Sequence, residues 1–128
     1  MADRIRVLLI EDNDVFRQAL ELLLGLRDEL EIVGADVDGV SAVERCRELS
    51  PHVVLVDYRL PGLDGVKVTE RVRAACPDVA IVGLTAAAGE REVEGMLDAG
   101  AVAVVGKDEP LDVLVAAVLD AAGSAATS

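Results

Sequence analysis

Short apolar runs in this chain end abruptly in residues able to do chemistry. Val7-Leu8-Leu9-Ile10 stops at Glu11-Asp12, and Val53-Val54-Leu55-Val56 stops at Asp57. A run through Leu84 ends at Thr85, and another ends at Gly106-Lys107. If each run is a strand of one parallel sheet, these side chains meet outside the carboxyl ends of the strands, where open α/β sheets bind ligands. Wet strand ends carry polar residues anyway, which accounts for any one of them. It does not account for three mutually repelling carboxylates at one edge. Such a cluster calls for a cation, and an all-oxygen donor set with room for water suits Mg2+, with Mn2+ as a substitute. Magnesium and the Lys107 ammonium together cancel the three negative charges. The neutral site can then admit a phosphoryl group, whose transfer needs positioning and charge stabilisation and little else. An ionised carboxylate needs no general base to act as the nucleophile.

Between the runs lie segments with helical spacing of apolar residues. The first carries Val15, Ala19, Leu22 and Leu26 on the face expected to turn inward, with Asn13 or Asp14 as N-cap. A second strand holds Ile32 and Val33. The second helix places Ala42, Val43, Cys46 and Leu49 on one face and stops at Ser50-Pro51. Leu60-Pro61-Gly62 marks a loop, and Asp64-Gly65 a helix start. The third helix directs Val68, Val72 and Ala75 inward; the fourth contains Val93, Met96 and Leu97. Strands are expected over Val79 to Leu84 and Ala101 to Val105. Pro110 opens a last helix with Leu111, Leu114, Val115 and Val118 inside. The order is strand then helix, five times. The apolar runs do not alternate, so the strands are buried on both faces, as in a parallel sheet covered by helices. Residues 1–122 read as one domain, and 123–128 as a disordered tail or the start of a linker.

The chain has 128 residues, 52% of them hydrophobic, enough for one core. Its net charge of −12 repels nucleic acid and anionic membranes, since binding phosphates needs a Lys/Arg footprint. No apolar run approaches membrane-spanning length, and the charged start Asp3-Arg4 does not suit a secretory leader. Cys46 and Cys76 read as free thiols in a reducing cytoplasm, outside any metal cluster. His52 reads as a solvated loop residue, Arg71 and Arg73 as an exposed helix face, and Tyr58 as a packing residue.

The pattern Ile10-Glu11-Asp12-Asn13, then Val56-Asp57-Tyr58-Arg59-Leu60-Pro61-Gly62-Leu63-Asp64-Gly65, then Leu84-Thr85-Ala86, then Gly106-Lys107 resembles the receiver domains of two-component response regulators. The match runs from Ile5 to Ala122, and five functional positions agree in order and spacing. The resemblance implies a CheY-like, flavodoxin-like doubly wound α/β fold, a five-stranded parallel sheet in the order 2-1-3-4-5 with five helices. It implies that Asp57 is the phosphoacceptor. It implies that Asp12, Asp57 and the backbone carbonyl of Arg59 ligate magnesium, with Glu11 acting through a metal-bound water. Lys107 and Thr85 would meet the phosphoryl oxygens, and the small Ala86 would leave access. The expected partners are a sensor histidine kinase and, in a longer parent protein, a helix-turn-helix output domain controlling transcription. A phosphorylation-linked homodimer is a further expectation, as is a cytoplasmic location, with no direct nucleic-acid binding by this domain.

Lys107-Asp108-Glu109 is similar to receivers of the NarL type, whereas many receivers follow the lysine with proline. The aromatic residue common three positions before the lysine is Val104 here. A magnesium-dependent phosphatase of the haloacid dehalogenase type would need a second aspartate two residues after the nucleophile, where Arg59 stands. A flavin-phosphate carrier would be repelled by Glu11-Asp12-Asn13-Asp14. A pseudo-receiver that only binds partners remains the alternative, distinguished by whether magnesium binds.

Overall fold

The computed structural model describes residues 4–86 and 89–127. Five strands and five helices alternate: β1 (Ile5–Ile10), α1 (Asp14–Gly25), β2 (Leu30–Asp36), α2 (Ala42–Leu49), β3 (Val53–Asp57), α3 (Gly65–Ala75), β4 (Ala80–Thr85), α4 (Glu90–Ala99), β5 (Ala103–Gly106) and α5 (Leu111–Thr127). All strand pairs are parallel, in the order β2-β1-β3-β4-β5. The chain therefore reverses direction of travel across the sheet between β1 and β3, and the crevice of such a fold opens there.

Strand alternation divides the apolar residues between two cores. Val7, Leu9, Val53, Leu55, Val82 and Leu84 pack against α1 and α5 residues such as Leu20, Leu24, Leu114 and Val118. Leu8, Ile10, Val54, Val56 and Ile81 pack against Ala42, Cys46, Val68, Val72 and Met96 of α2, α3 and α4. Strands buried on both sides need apolar residues at every position, which is why these runs do not alternate.

Five sequence expectations are corrected here. The stripe Val15, Ala19, Leu22 and Leu26 faces solvent, with Val15 79% exposed and Leu26 70%. Leu20 and Leu24 are buried instead, with Phe16 packed against the same core. The helix carries leucine on most sides, so periodicity alone does not choose a face. Its phase is set by the cap: the Asn13 side chain accepts from the Phe16 N–H at 2.9 Å. The strand β5 starts at Ala103, two residues later than expected, because Gly100 adopts φ +119° and the Ala101 N–H is used to close α4 on the Met96 carbonyl. The helix α5 continues through Gly123 to Thr127, where a non-helical tail was expected; the alanines around Gly123 are strong helix formers that outweigh one glycine. His52 is half-buried rather than solvated, its Nδ1 accepting from the Arg6 N–H at 2.9 Å. Arg73, too, is half-buried, donating to the Pro77 carbonyl at 2.9 Å, while Arg71 is exposed.

Candidate functional site

The backbone brings the polar strand ends together. The Glu11 N–H donates to the Asp36 carbonyl at 2.9 Å, the Tyr58 N–H to the Leu84 carbonyl at 2.8 Å, and the Lys107 N–H to the Thr85 carbonyl at 2.8 Å. These bonds tie the end of β1 to β2, of β3 to β4 and of β4 to β5, and the pairing of Ile10 with Val56 sets β1 beside β3. The strand ends form an open cleft of about 590 Å³ whose lining includes Asp12, Asp57, Arg59, Thr85, Ala86 and Lys107. Glu11 lies beneath it, fully buried, while Asp12 is exposed and Asp57 is buried at the cleft floor.

Lys107 is the hub. Its ammonium contacts Glu11 Oε1 and lies 3.1 Å from Asp57 Oδ2. Below it the Phe16 ring stands 4.8 Å from the nitrogen, a cation–π seat. Burial works against the lysine's charge, but the Glu11 and Asp57 carboxylates outweigh it, and its pKa is raised. The Glu11 pKa is raised too, but for a carboxyl this disfavours the charged form. Burial, reinforced by the adjacent Asp57, pushes its carboxyl up to about 7, although Lys107 and the Asn13 N–H at 3.1 Å favour the charged form.

One carboxylate oxygen, Glu11 Oε1, is buried without a hydrogen bond of regular geometry; its contact with Lys107 is an ion pair only. Glu11, Asp12 and Asp57 each present an oxygen to one point, these atoms lying within 4.8 Å of one another. Three carboxylates converging in this way fit a hard divalent cation, which prefers oxygen ligands and keeps some of its own water.

The loop after β3 folds back over the end of that strand. The Arg59 N–H donates to Asp57 Oδ1 at 3.3 Å, so the Arg59 peptide lies beside that carboxylate. The Arg59 side chain is 83% exposed and pairs with Glu92 at 3.7 Å. The turn is closed by the Gly65 N–H donating to the Tyr58 carbonyl at 3.0 Å and by Asp64, whose side chain caps α3 at the Lys67 N–H. Tyr58 packs into the core on the α2–α4 side. On the far wall, Thr85 donates to Glu92 Oε2 at 2.6 Å, and Ala86 is exposed at the cleft.

All the candidate side chains thus meet in one place. Sequence reasoning overlooked Phe16 and Glu92. Phe16 is the only phenylalanine in the chain, and its neighbour Lys107 is distant in sequence. Glu92 sits in Glu90-Arg91-Glu92-Val93-Glu94, a run with the composition of a solvated helix face. Cys46 is a buried free thiol and Cys76 a half-buried one. Among the described residues no helix is long and apolar enough to cross a membrane.

A parallel five-stranded sheet with an acid-rich cleft of this make-up defines a class, and comparison with known proteins agrees. The family model of the response regulator receiver domain matches residues 7–119. The chain belongs to that family. It is 33% identical over 115 residues to the transcriptional regulatory protein LnrK of Bacillus subtilis, covering 90% of this chain and 52% of that protein. It is 32% identical over 114 residues to the response regulator GacA of Pseudomonas protegens, covering 89% and 54%. The solved receiver domain of the response regulator NarL from Mycobacterium tuberculosis superposes with a TM-score of 0.90 at 32% identity, covering 95% of this chain and 98% of that one. The chain spans about half the length of such curated relatives.

Proposed function

We propose that Asp57 accepts a phosphoryl group in a magnesium-dependent reaction and that the modified domain switches a transcriptional output. The observation that carries this reading is the Lys107 ammonium held between Glu11 and Asp57 with Asp12 alongside. A cation bridge over converging carboxylates is what an incoming phosphoryl group requires. An Asp57 carboxylate oxygen attacks phosphorus, and the donor leaves with the electron pair of its P–N or P–O bond. The donor is a sensor histidine kinase or a small acyl phosphate. Lys107 stays charged throughout, because two carboxylates hold its proton. It can turn from Glu11 toward the phosphoryl oxygens. Thr85 lies across the cleft to donate to another of those oxygens, and Ala86 leaves them room.

Asp12, Asp57 and the Arg59 backbone carbonyl would hold Mg2+, or Mn2+, with Glu11 joined through a water. The bound ion supplies positive charge for the phosphoryl oxygens. The same site serves the later hydrolysis of the aspartyl phosphate, so the domain takes part in its own phosphotransfer and dephosphorylation while its output lies elsewhere. The relatives are named as transcriptional regulators, which supports a helix-turn-helix output in a longer parent protein and a cytoplasmic location. Incubation with acetyl phosphate and Mg2+ should add one phosphoryl mass, and Asp57→Asn should abolish it. Labelling that persists in Asp57→Asn would refute the assignment. Omitting Mg2+ separates this function from that of a pseudo-receiver, which would neither bind the metal nor take the label.

A further inference from the structure

We propose that Glu92 is a positioning residue: it holds the Thr85 hydroxyl in the resting state and must release it for a phosphoryl group to be received. The inference rests on the phosphoacceptor reading above. Thr85 ends β4 and is 1% exposed. Its hydroxyl donates to Glu92 Oε2 at 2.6 Å. Glu92 lies in the first turn of α4, and its side chain is only 19% exposed despite its charged neighbours, because it leans into the cleft.

A hydroxyl has one proton to give, and a carboxylate and a phosphoryl oxygen both only accept. Thr85 therefore cannot donate to both. The arriving phosphoryl group also brings negative charge into the cleft that Glu92 lines. Competition for the proton and like-charge repulsion act in the same direction, against the Thr85–Glu92 bond. Arg59, 3.7 Å from the other Glu92 oxygen and largely exposed, can follow Glu92 or turn to the new anion. The helix that carries Glu92 is lightly anchored, with Met96 its only buried residue among ten. Expelling Glu92 thus displaces the start of α4. A bond present only at rest and a bond formed only after phosphorylation make the two-state bias that a switch needs.

Beryllofluoride with Mg2+ serves as the phosphoryl mimic, with affinity read from amide spectra of isotope-labelled protein. Glu92→Ala should tighten mimic binding about tenfold, the lower end of what a hydrogen bond to a charged group contributes. Glu92→Gln keeps an acceptor but drops the charge, and should tighten it by about threefold. In a Thr85→Ala background, Glu92→Ala should change affinity by less than about twofold, because the shared bond is already gone. Unchanged or weaker binding in Glu92→Ala with a native-like spectrum would overturn the proposal. So would the same gain with and without Thr85, which would make Glu92 a distant charge only. If Glu92→Ala does not fold, Glu92→Gln decides alone, and failure to tighten overturns the proposal. A wild-type protein that takes no mimic would instead overturn the phosphoacceptor reading, and this proposal with it.

Discussion

Gly65→Ala tests whether α3 must seat directly on the end of β3. A Cβ at residue 65 would lie 2.3 Å from the Asp57 carbonyl oxygen and 2.9 Å from the Tyr58 Cα. Both neighbours are backbone, so no side-chain rotation relieves the contact. Ordinary van der Waals separation begins about 1 Å further out. Either α3 retreats, or the Asp57 peptide moves with its carboxylate. Overpacking of this kind costs about 1–3 kcal/mol, and the Gly65 N–H to Tyr58 carbonyl bond at 3.0 Å is strained with it. A displacement of about 1 Å at reacting groups can cost on the order of a hundredfold in rate. Urea denaturation followed by circular dichroism should give the lower stability. The initial rate of acetyl phosphate labelling should fall by tenfold or more, in proportion to how far Asp57 moves. Wild-type stability together with wild-type labelling would refute the close-seat reasoning.

Gly95→Ala is the contrasting case. Its Cβ would meet only Val66 Cγ2 at an ordinary 3.7 Å inside α4, so stability should rise by about 0.5–1 kcal/mol, measured by the same denaturation. Glu11 gives a pH signature in magnesium-free buffer. Its folded pKa, about 7, lies above the reference of 4.5, so between those values the native state holds a proton the unfolded chain has lost. Stability from this group is therefore fully present below pH 4.5 and declines as pH rises to 7, and Glu11→Gln should flatten that part of the curve. Asp12→Asn should weaken Mg2+ binding more than Glu11→Gln, by calorimetric titration, since Asp12 is exposed at the cleft and Glu11 is buried beneath it; the reverse order would exchange their roles. Burial, with smaller contributions from Cys76 and Asp36, pushes the Cys46 thiol up to about 12, so at pH 8 only about one part in ten thousand is thiolate. Peptide mass spectrometry after iodoacetamide should find Cys76 modified first.

The sheet and the site were legible for one reason. Strands buried on both faces read as unbroken apolar runs, and each run's end is marked by a polar residue the core would not tolerate. Asp57, Thr85 and Lys107 could be placed together without knowing any distance. The helices were less legible where composition is uniform. In α1 leucine occupies most sides, so the choice between the Leu20–Leu24 face and the Val15–Leu22–Leu26 face depends on how β1 delivers the chain to Asn13. Glu92 was illegible for a related reason. Three glutamates fall within Glu90 to Glu94, and only the fold shows that the middle one turns inward.

Val104 occupies the position where many receivers carry an aromatic ring, and the packing around it shows what stands in for that ring's bulk. Gly83 on β4 lacks the side chain that would otherwise separate sheet from helix. A Cβ there would lie 2.7 Å from Met96 Cε and 3.4 Å from Val104 Cγ2. The space is thus filled from both sides, by a methionine of α4 and a valine of β5. The two differ in what they permit. Valine is confined at χ1 by its branching, whereas methionine has three rotatable bonds and adapts to altered neighbours. Met96 is also the one buried residue of α4, the helix whose first turn is tied to Thr85 through Glu92. A shift of α4 after loss of that tie can be taken up by Met96 without opening a void at Gly83. Coupling from the phosphoryl site to the α4 surface then needs no swinging ring, only a charged latch at one end of the helix and a pliable plug at its middle.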